Sequence, residues 1–160
     1  MEEKSLKELI NNELKYAKDR LHAAEILFEN NKLIDAIDRA YYAVFHASKA
    51  LLYSIGKEAR THSGTISMLG LYLIERGKLD KRYGVILRRL FEARETANCV
   101  LGAIFEREEI KEMIANAKLF LKEAEKLSKE NLKKYEKNKK TGWVRSHPSL
   151  LNNSLFSTQG

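Results

Sequence analysis

Apolar residues recur at three- and four-residue spacing along most of this 160-residue chain, which is the period of an amphipathic α-helix. The first apolar stripe covers residues 6–28 and ends before Asn30-Asn31. Further stripes, with their start and stop signals, predict four more helices: residues 33–55 before Gly56, from Thr61-His62-Ser63-Gly64 to near Gly77, from Asp80 to about Gly102, and from Arg107 to about Tyr135.

The links between these helices are short, and no segment alternates with the two-residue period of a β-strand. The single proline stands at position 148, so nothing before it interrupts a helix. Short links make neighbouring helices antiparallel. We therefore predict an all-α, antiparallel up-and-down bundle of four to five helices over residues 1–135, followed by a basic, irregular C-terminal tail over residues 136–160.

The formal net charge of +7 is concentrated near the C-terminus. Residues 1–125 hold 21 Lys and Arg against 20 Asp and Glu, whereas residues 126–147 hold eight against two. The basic segment is interpreted either as a solvated helix end or as an arm that binds phosphates without sequence specificity. The nearly neutral body must carry any more specific function.

Several classes of protein are disfavoured by composition. One cysteine cannot form an internal disulfide, and the histidines are not spaced as metal ligands. The first residues are charged, and no run of 18 apolar residues occurs. We expect a cytoplasmic protein with no membrane span, metal site or cofactor, and with Cys99 as a small buried residue.

One face of the second predicted helix is unusually rich in functional side chains. At 100° per residue, a sector of about 80° collects six polar or polar-tipped residues. Arginine, tyrosine and histidine combine apolar bodies with directed hydrogen bonds, a mixture that suits an interface or a site for a phosphate and a base. The six are Asp35, Arg39, Tyr42, His46, Lys49 and Tyr53.

Arg39 and His46 lie two helical turns apart on this face. A guanidinium can bind a phosphate through two hydrogen bonds, and an imidazole can accept and release a proton near neutral pH. Together they could cleave RNA without a metal. With ten Arg and four His in the chain, the pair occurs readily by chance, so its interpretation depends on the surrounding sequence.

That surrounding sequence resembles the HEPN domain family. Residues 38–52, DRAYYAVFHASKALL, are similar to the signature helix of the family, and Thr61-His62-Ser63-Gly64 is similar to a loop of its bacterial and archaeal branch. Residues 94–99, RETANC, resemble the branch's Arg-x-x-Ala-Asp-Tyr segment, and residues 108–121 resemble its closing helix. The resemblance extends over residues 5–130.

The resemblance implies a helical bundle that commonly forms a homodimer, and a partner of the minimal nucleotidyltransferase class in a toxin–antitoxin module. In many HEPN proteins an Arg-x(4–6)-His motif forms a metal-independent ribonuclease site across the dimer, and Arg39 and His46 fit this motif. Two positions depart from the family. Ser48 replaces a tyrosine that the partner enzyme nucleotidylates in some HEPN toxins, and Asn98-Cys99 replaces Asp-Tyr.

Two functions are therefore predicted. The first is a toxin-like endoribonuclease in which Arg39 binds phosphate and His46 is the general acid and base. The second is a non-catalytic interaction or nucleotide-binding module for a minimal nucleotidyltransferase. The predicted substrate-binding residues are Asp35, Tyr42, Lys49, His62 and Arg94.

Two of these residues keep alternative interpretations. Arg94 falls within an apolar stripe and is expected to pair with Asp35 or Asp38, or to bind a second phosphate. His62 either caps and packs its turn or lies near an anion at the helix N-terminus.

Overall fold

The computed structural model describes residues 5–99 and 104–140, and these residues form helices without a β-strand. This confirms the predicted all-α bundle. The elements are α1 (Leu6–Glu29), α2 (Leu33–Ser54), α3 (His62–Leu69), a π-helical turn (Gly70–Ile74), α4 (Lys81–Cys99) and α5 (Arg107–Lys140).

The α1–α2 hairpin is built from local signals that are visible in the sequence. The Ser5 hydroxyl accepts a hydrogen bond from the backbone N–H of Glu8 and caps α1. Asn31 adopts a left-handed conformation with φ of 62°, which reverses the chain between the helices. The Arg107 side chain donates to the Asn31 side-chain oxygen at 2.5 Å, so the start of α5 is tied to this turn.

Helix α2 is the central helix of the bundle, because it packs against α1, α4 and α5. Alanines on its buried side let these helices approach closely, and five of them have no exposed surface. The core then forms around the larger side chains of the same helix. The five alanines are Ala36, Ala40, Ala43, Ala47 and Ala50.

The segment after α2 also follows its predicted signals. Gly56 has φ of 74° and ends the hairpin side of α2, and the Thr61 hydroxyl accepts from the backbone N–H of Gly64 to cap α3. The helix predicted to reach Gly77 changes to π-helical hydrogen bonding at Gly70–Ile74. Asp80 accepts from the backbone N–H of Arg82 at the start of α4, as expected of a cap.

Two details of the predicted ends differ in the structure. Helix α5 runs to Lys140, five residues further than its predicted end, and its last turn carries lysines that favour the negative end of the helix dipole. Cys99 is exposed, so its prediction as a small buried residue was wrong. It is the last described residue of α4, where the helix face has turned away from the core. The predicted end near Gly102 and residues 141–160 lie outside the described residues.

Among the helices of the described residues, none is both long enough and apolar enough to cross a membrane.

Candidate functional site

A groove of about 420 Å³ crosses the outward face of α2, between α1 and α4. Three guanidinium groups line this groove with a single carboxylate, an imidazole and a phenol. We call it the arginine groove. Its lining residues are Arg20, Asp38, Arg39, Tyr42, His46 and Arg94.

Both predicted catalytic residues belong to the arginine groove. The Arg39 side chain is 45% exposed and reaches the Asp38 carboxylate at 3.6 Å. His46 is more enclosed, and its imidazole contacts the rings of Tyr16 and Tyr42 at centroid distances of 5.5 and 6.5 Å. One residue is therefore open to an incoming anion, and the other is held within the groove wall.

Glu13 of α1 holds the His46 imidazole, and sequence reasoning missed this residue. Its carboxylate lies 2.7 Å from His46 Nδ1. Because an ionised carboxylate only accepts hydrogen bonds, the proton of the neutral ring lies on Nδ1 and Nε2 is the basic nitrogen. The other Glu13 oxygen lies 3.5 Å from Lys49 Nζ, which balances the carboxylate charge.

A signal for Glu13 was present in the sequence. It lies about 20° from Ala24 around the surface of α1 at 100° per residue, so it falls on the buried stripe. The structure leaves it only 9% exposed. A glutamate is rarely that buried unless a partner satisfies it, so its position within an apolar stripe predicts a paired carboxylate.

Arg94 of α4 forms the opposite wall through a fixed network. Its Nε donates to Asp38 at 3.0 Å, and its Nη2 donates to the Tyr42 hydroxyl at 3.0 Å. The guanidinium also lies 4.9 Å from the Tyr42 ring centroid. Of the two expected partners the structure selects Asp38, since Asp35 is exposed at the start of α2 and does not line the groove.

Asp38 therefore contacts both Arg39 and Arg94. One carboxylate cannot neutralise two guanidinium groups, and Arg20 adds a third on the α1 side. The groove thus keeps a positive charge in a body that is otherwise nearly neutral. An anionic group such as a phosphate suits this arrangement.

His62 lies behind the groove and is not one of its lining residues. Burial raises the pKa of the Tyr41 hydroxyl, so the hydroxyl stays protonated and donates to His62 Nδ1 at 2.6 Å. Burial, with a smaller contribution from the Arg94 charge, lowers the pKa of His62. The ring also packs against Phe45 at 4.6 Å between centroids. These contacts fit the packing interpretation of His62.

Ser48 occupies the position of the modified tyrosine in the resemblance. It has no exposed surface, and its hydroxyl donates to the Val44 carbonyl at 2.8 Å. A hydroxyl in this position is closed to a modifying enzyme. Across the described residues, no group of three or more His, Cys, Asp or Glu is arranged to hold a metal ion.

Comparison with known proteins agrees with this architecture. The family model of the HEPN domain matches residues 11–127, which include the arginine groove and Glu13. The chain belongs to the HEPN domain family.

Relatives of this HEPN chain come from archaea and a thermophilic bacterium. A protein named "putative toxin" from Methanocaldococcus jannaschii is 37% identical over 129 residues, covering 81% of this chain and 96% of the relative. A UPF0332 protein of Pyrococcus horikoshii is 42% identical over 80 residues, covering 50% and 56% of the two chains. A UPF0332 protein of Thermotoga maritima is 35% identical over 111 residues, covering 69% and 84%.

Proposed function

We propose that this HEPN protein is a metal-independent endoribonuclease of the toxin-like class, with the arginine groove as its active site. The observation that carries the proposal is the contact of His46 Nδ1 with the buried Glu13 carboxylate at 2.7 Å. This contact fixes the tautomer and orientation of the ring and leaves Nε2 for proton transfer. The name of the M. jannaschii relative is consistent with a toxin-like role.

The proposed reaction is an internal transesterification of RNA. His46 Nε2 accepts the proton of a ribose 2′-hydroxyl, and the 2′-oxygen attacks the adjacent phosphorus. The bond from phosphorus to the 5′-oxygen breaks, and that oxygen takes up the proton. The products are a 2′,3′-cyclic phosphate and a free 5′-hydroxyl, so no water, metal or cofactor is consumed.

Arg39 supplies the electrostatic part of this reaction. Its exposed guanidinium can bind two phosphate oxygens and stabilise the negative charge that develops in the transition state. Arg94 and Tyr42 are fixed by their mutual hydrogen bond and line the same groove, so they provide a second set of phosphate contacts. Lys49 contributes through Glu13.

In this proposal two copies of the chain form a homodimer and bring two arginine grooves together. The expectation comes from the HEPN resemblance, and the open groove in one chain is compatible with it. Mixing Arg39→Ala chains with His46→Asn chains tests this directly. A shared site restores cleavage in the mixed dimer, whereas independent sites leave the mixture inactive.

The nuclease proposal is tested by incubating purified protein with a labelled RNA in EDTA. We expect cleavage products with cyclic phosphate ends, and no cleavage of the same RNA with 2′-O-methyl groups. Intact RNA after prolonged incubation with folded wild-type protein would overturn the proposal.

A non-catalytic module that binds a minimal nucleotidyltransferase is the second candidate. Exposed Arg39 and Tyr16 favour it, because arginine and tyrosine are enriched at the centres of protein interfaces. This candidate predicts that Arg39→Ala weakens a complex with the partner enzyme while wild-type protein shows no cleavage. Co-purification of the two proteins, followed by the RNA assay, separates the candidates.

A further inference from the structure

Tyr16 is an exposed aromatic residue beside His46 that the core does not require. It lies on α1 and is 46% exposed. Its ring centroid is 5.5 Å from that of His46, and the two planes are inclined by 54°. In the described part of the chain its hydroxyl makes no hydrogen bond. Packing and hydrogen bonding within the chain therefore do not explain a large aromatic group here.

Arg20 lies one helical turn along α1 from Tyr16. Its guanidinium carbon is 5.5 Å from the Tyr16 ring centroid, and the side chain lines the arginine groove. Arg20 also contacts the Asp19 carboxylate at 3.0 Å on the exposed surface. Exposed pairs of this kind contribute little to stability, so Arg20 can leave Asp19 for another ligand.

We propose that Tyr16 and Arg20 form a nucleobase subsite on the α1 wall of the arginine groove. The inference rests on the proposed function, because it assigns a base position next to the phosphate position at Arg39 and His46. In a nucleotide the base and the phosphate are separated by one ribose. The subsite places an aromatic surface on one side of His46 and the phosphate-binding arginines on the other.

The chemistry of the two side chains favours a nucleobase as the ligand. A tyrosine ring stacks on any of the four bases, and a guanidinium plane stacks on a base or contacts a phosphate. Stacking requires a base whose face is free. The subsite therefore selects an unpaired nucleotide, with little preference among the bases.

The proposal is tested by binding rather than cleavage, so that it is separated from the nuclease activity. The probe is a short fluorescent oligoribonucleotide with 2′-O-methyl groups, whose anisotropy reports the Kd. Tyr16→Ala should raise the Kd by about tenfold, the expected effect of losing one stacked base. Tyr16→Phe retains the ring and should stay within about twofold of wild type.

Tyr72 provides a matched control. It also lies beneath two cations, with Lys57 Nζ at 4.7 Å and the Arg76 guanidinium at 5.2 Å from its ring centroid, but it does not line the arginine groove. Tyr72→Ala should leave the Kd unchanged. An equal loss in the Tyr16 and Tyr72 variants would overturn the subsite.

A probe with one abasic position identifies the stacked base. Moving the abasic position along the probe should raise the wild-type Kd at one site, and the same change should have no effect in Tyr16→Ala. Additive losses would overturn the proposal. A lower molecular mass of Tyr16→Ala in solution, with unchanged Kd, would instead assign Tyr16 to a protein interface and overturn it as well.

The outcomes distinguish this inference from the nuclease proposal. Tyr16-dependent binding without cleavage of unmodified RNA supports the subsite and refutes the nuclease. Cleavage with the same KM in wild type and Tyr16→Ala refutes the subsite and supports the nuclease. Absence of any binding by wild-type protein refutes both.

Discussion

The Glu13 carboxylate accepts a hydrogen bond from His46 Nδ1 at 2.7 Å across the interface between α1 and α2. The donor lies 33 residues from the acceptor, so only the α1–α2 hairpin brings them together. In this arrangement α1 determines which nitrogen of the imidazole is available to substrate. The α1–α2 packing is therefore part of the proposed site as well as part of the fold.

Glu13→Gln should lower kcat while leaving KM nearly unchanged. The amide keeps the shape of the side chain but loses the charge that stabilises the imidazolium, and its N–H₂ group can select the wrong tautomer of His46. Replacing the acid of a catalytic triad by its amide lowers kcat by up to about 10⁴-fold, which sets the upper limit. Steady-state kinetics on a short RNA measures the effect.

Lys49→Met is the matched control for Glu13→Gln, because Lys49 contacts the other carboxylate oxygen at 3.5 Å. It should lower kcat much less than the glutamate variant. If Glu13→Gln raises KM and leaves kcat unchanged, Glu13 does not position the base.

Arg39 and Arg94 should show opposite effects when each is replaced by alanine. Arg39 is half-exposed and makes one contact at 3.6 Å, so Arg39→Ala should change the free energy of unfolding by less than about 1 kcal/mol. Its cleavage rate should fall by about 10²- to 10³-fold. Arg94→Ala removes hydrogen bonds to Asp38 and Tyr42 and should cost about 1–3 kcal/mol.

Urea unfolding and cleavage assays on both variants check this contrast. Arg39→Lys retains the charge without the two-pronged geometry, so it should recover only part of the activity. The assignment fails if Arg39→Ala unfolds more easily than Arg94→Ala and still cleaves at the wild-type rate.

Acid should destabilise the fold through His62. Its pKa is lowered in the folded state, chiefly by burial, so the unfolded chain binds the proton first. Stability is therefore lost as the pH falls below about 6.5, the ordinary pKa of histidine. The loss should be a fraction of about 1.4 kcal/mol per pH unit, because the ring is only partly buried.

His62→Asn separates this effect from the other titrating groups. Its side-chain oxygen replaces Nδ1 as the acceptor for the Tyr41 hydroxyl but does not titrate in this range. Urea unfolding at pH 7.5 and 5.5 should show a smaller loss for the variant than for wild type. Equal losses would mean that His62 contributes nothing to the acid sensitivity.

The basic end of α5 should affect RNA binding but not the chemical step. Lys133, Lys137 and Lys140 lie on one exposed face of the helix. Replacing all three by glutamine should reduce the slope of log Kd against log salt by about 2 for single-stranded RNA. Substitution is preferable to truncation, because Leu132 is buried and Asn131 donates to Ser54 at 3.0 Å.

Titration of RNA binding at several salt concentrations, together with kcat at saturating RNA, measures both parts of this prediction. An unchanged salt slope would assign the lysines to a solvated helix end.

Local features of the fold were predictable from the sequence, because neighbouring residues determine them. The turn at Asn31, the glycine at position 56 and the Thr61 cap each act within a few residues. The same holds for the polar face of α2, since helical periodicity alone brings Arg39, Tyr42 and His46 together.

Contacts between helices were not predictable in the same way. Glu13 and Arg20 belong to the first helix, and only tertiary packing places them beside residues of α2. The choice of Asp38 over Asp35 as the Arg94 partner also depends on how α4 crosses α2. The family motif covers Arg39 and His46 but says nothing of the residues that hold them.

The central claim, that His46 transfers the proton in RNA cleavage, is tested most directly by comparing wild type with His46→Asn in EDTA. The asparagine amide can still donate to Glu13, so the buried carboxylate keeps its partner, whereas His46→Ala would leave it without one. We predict that His46→Asn unfolds at the wild-type urea concentration and binds RNA with the wild-type Kd, yet cleaves it at least about 10²-fold more slowly. Cleavage by folded His46→Asn at the wild-type rate would contradict the account.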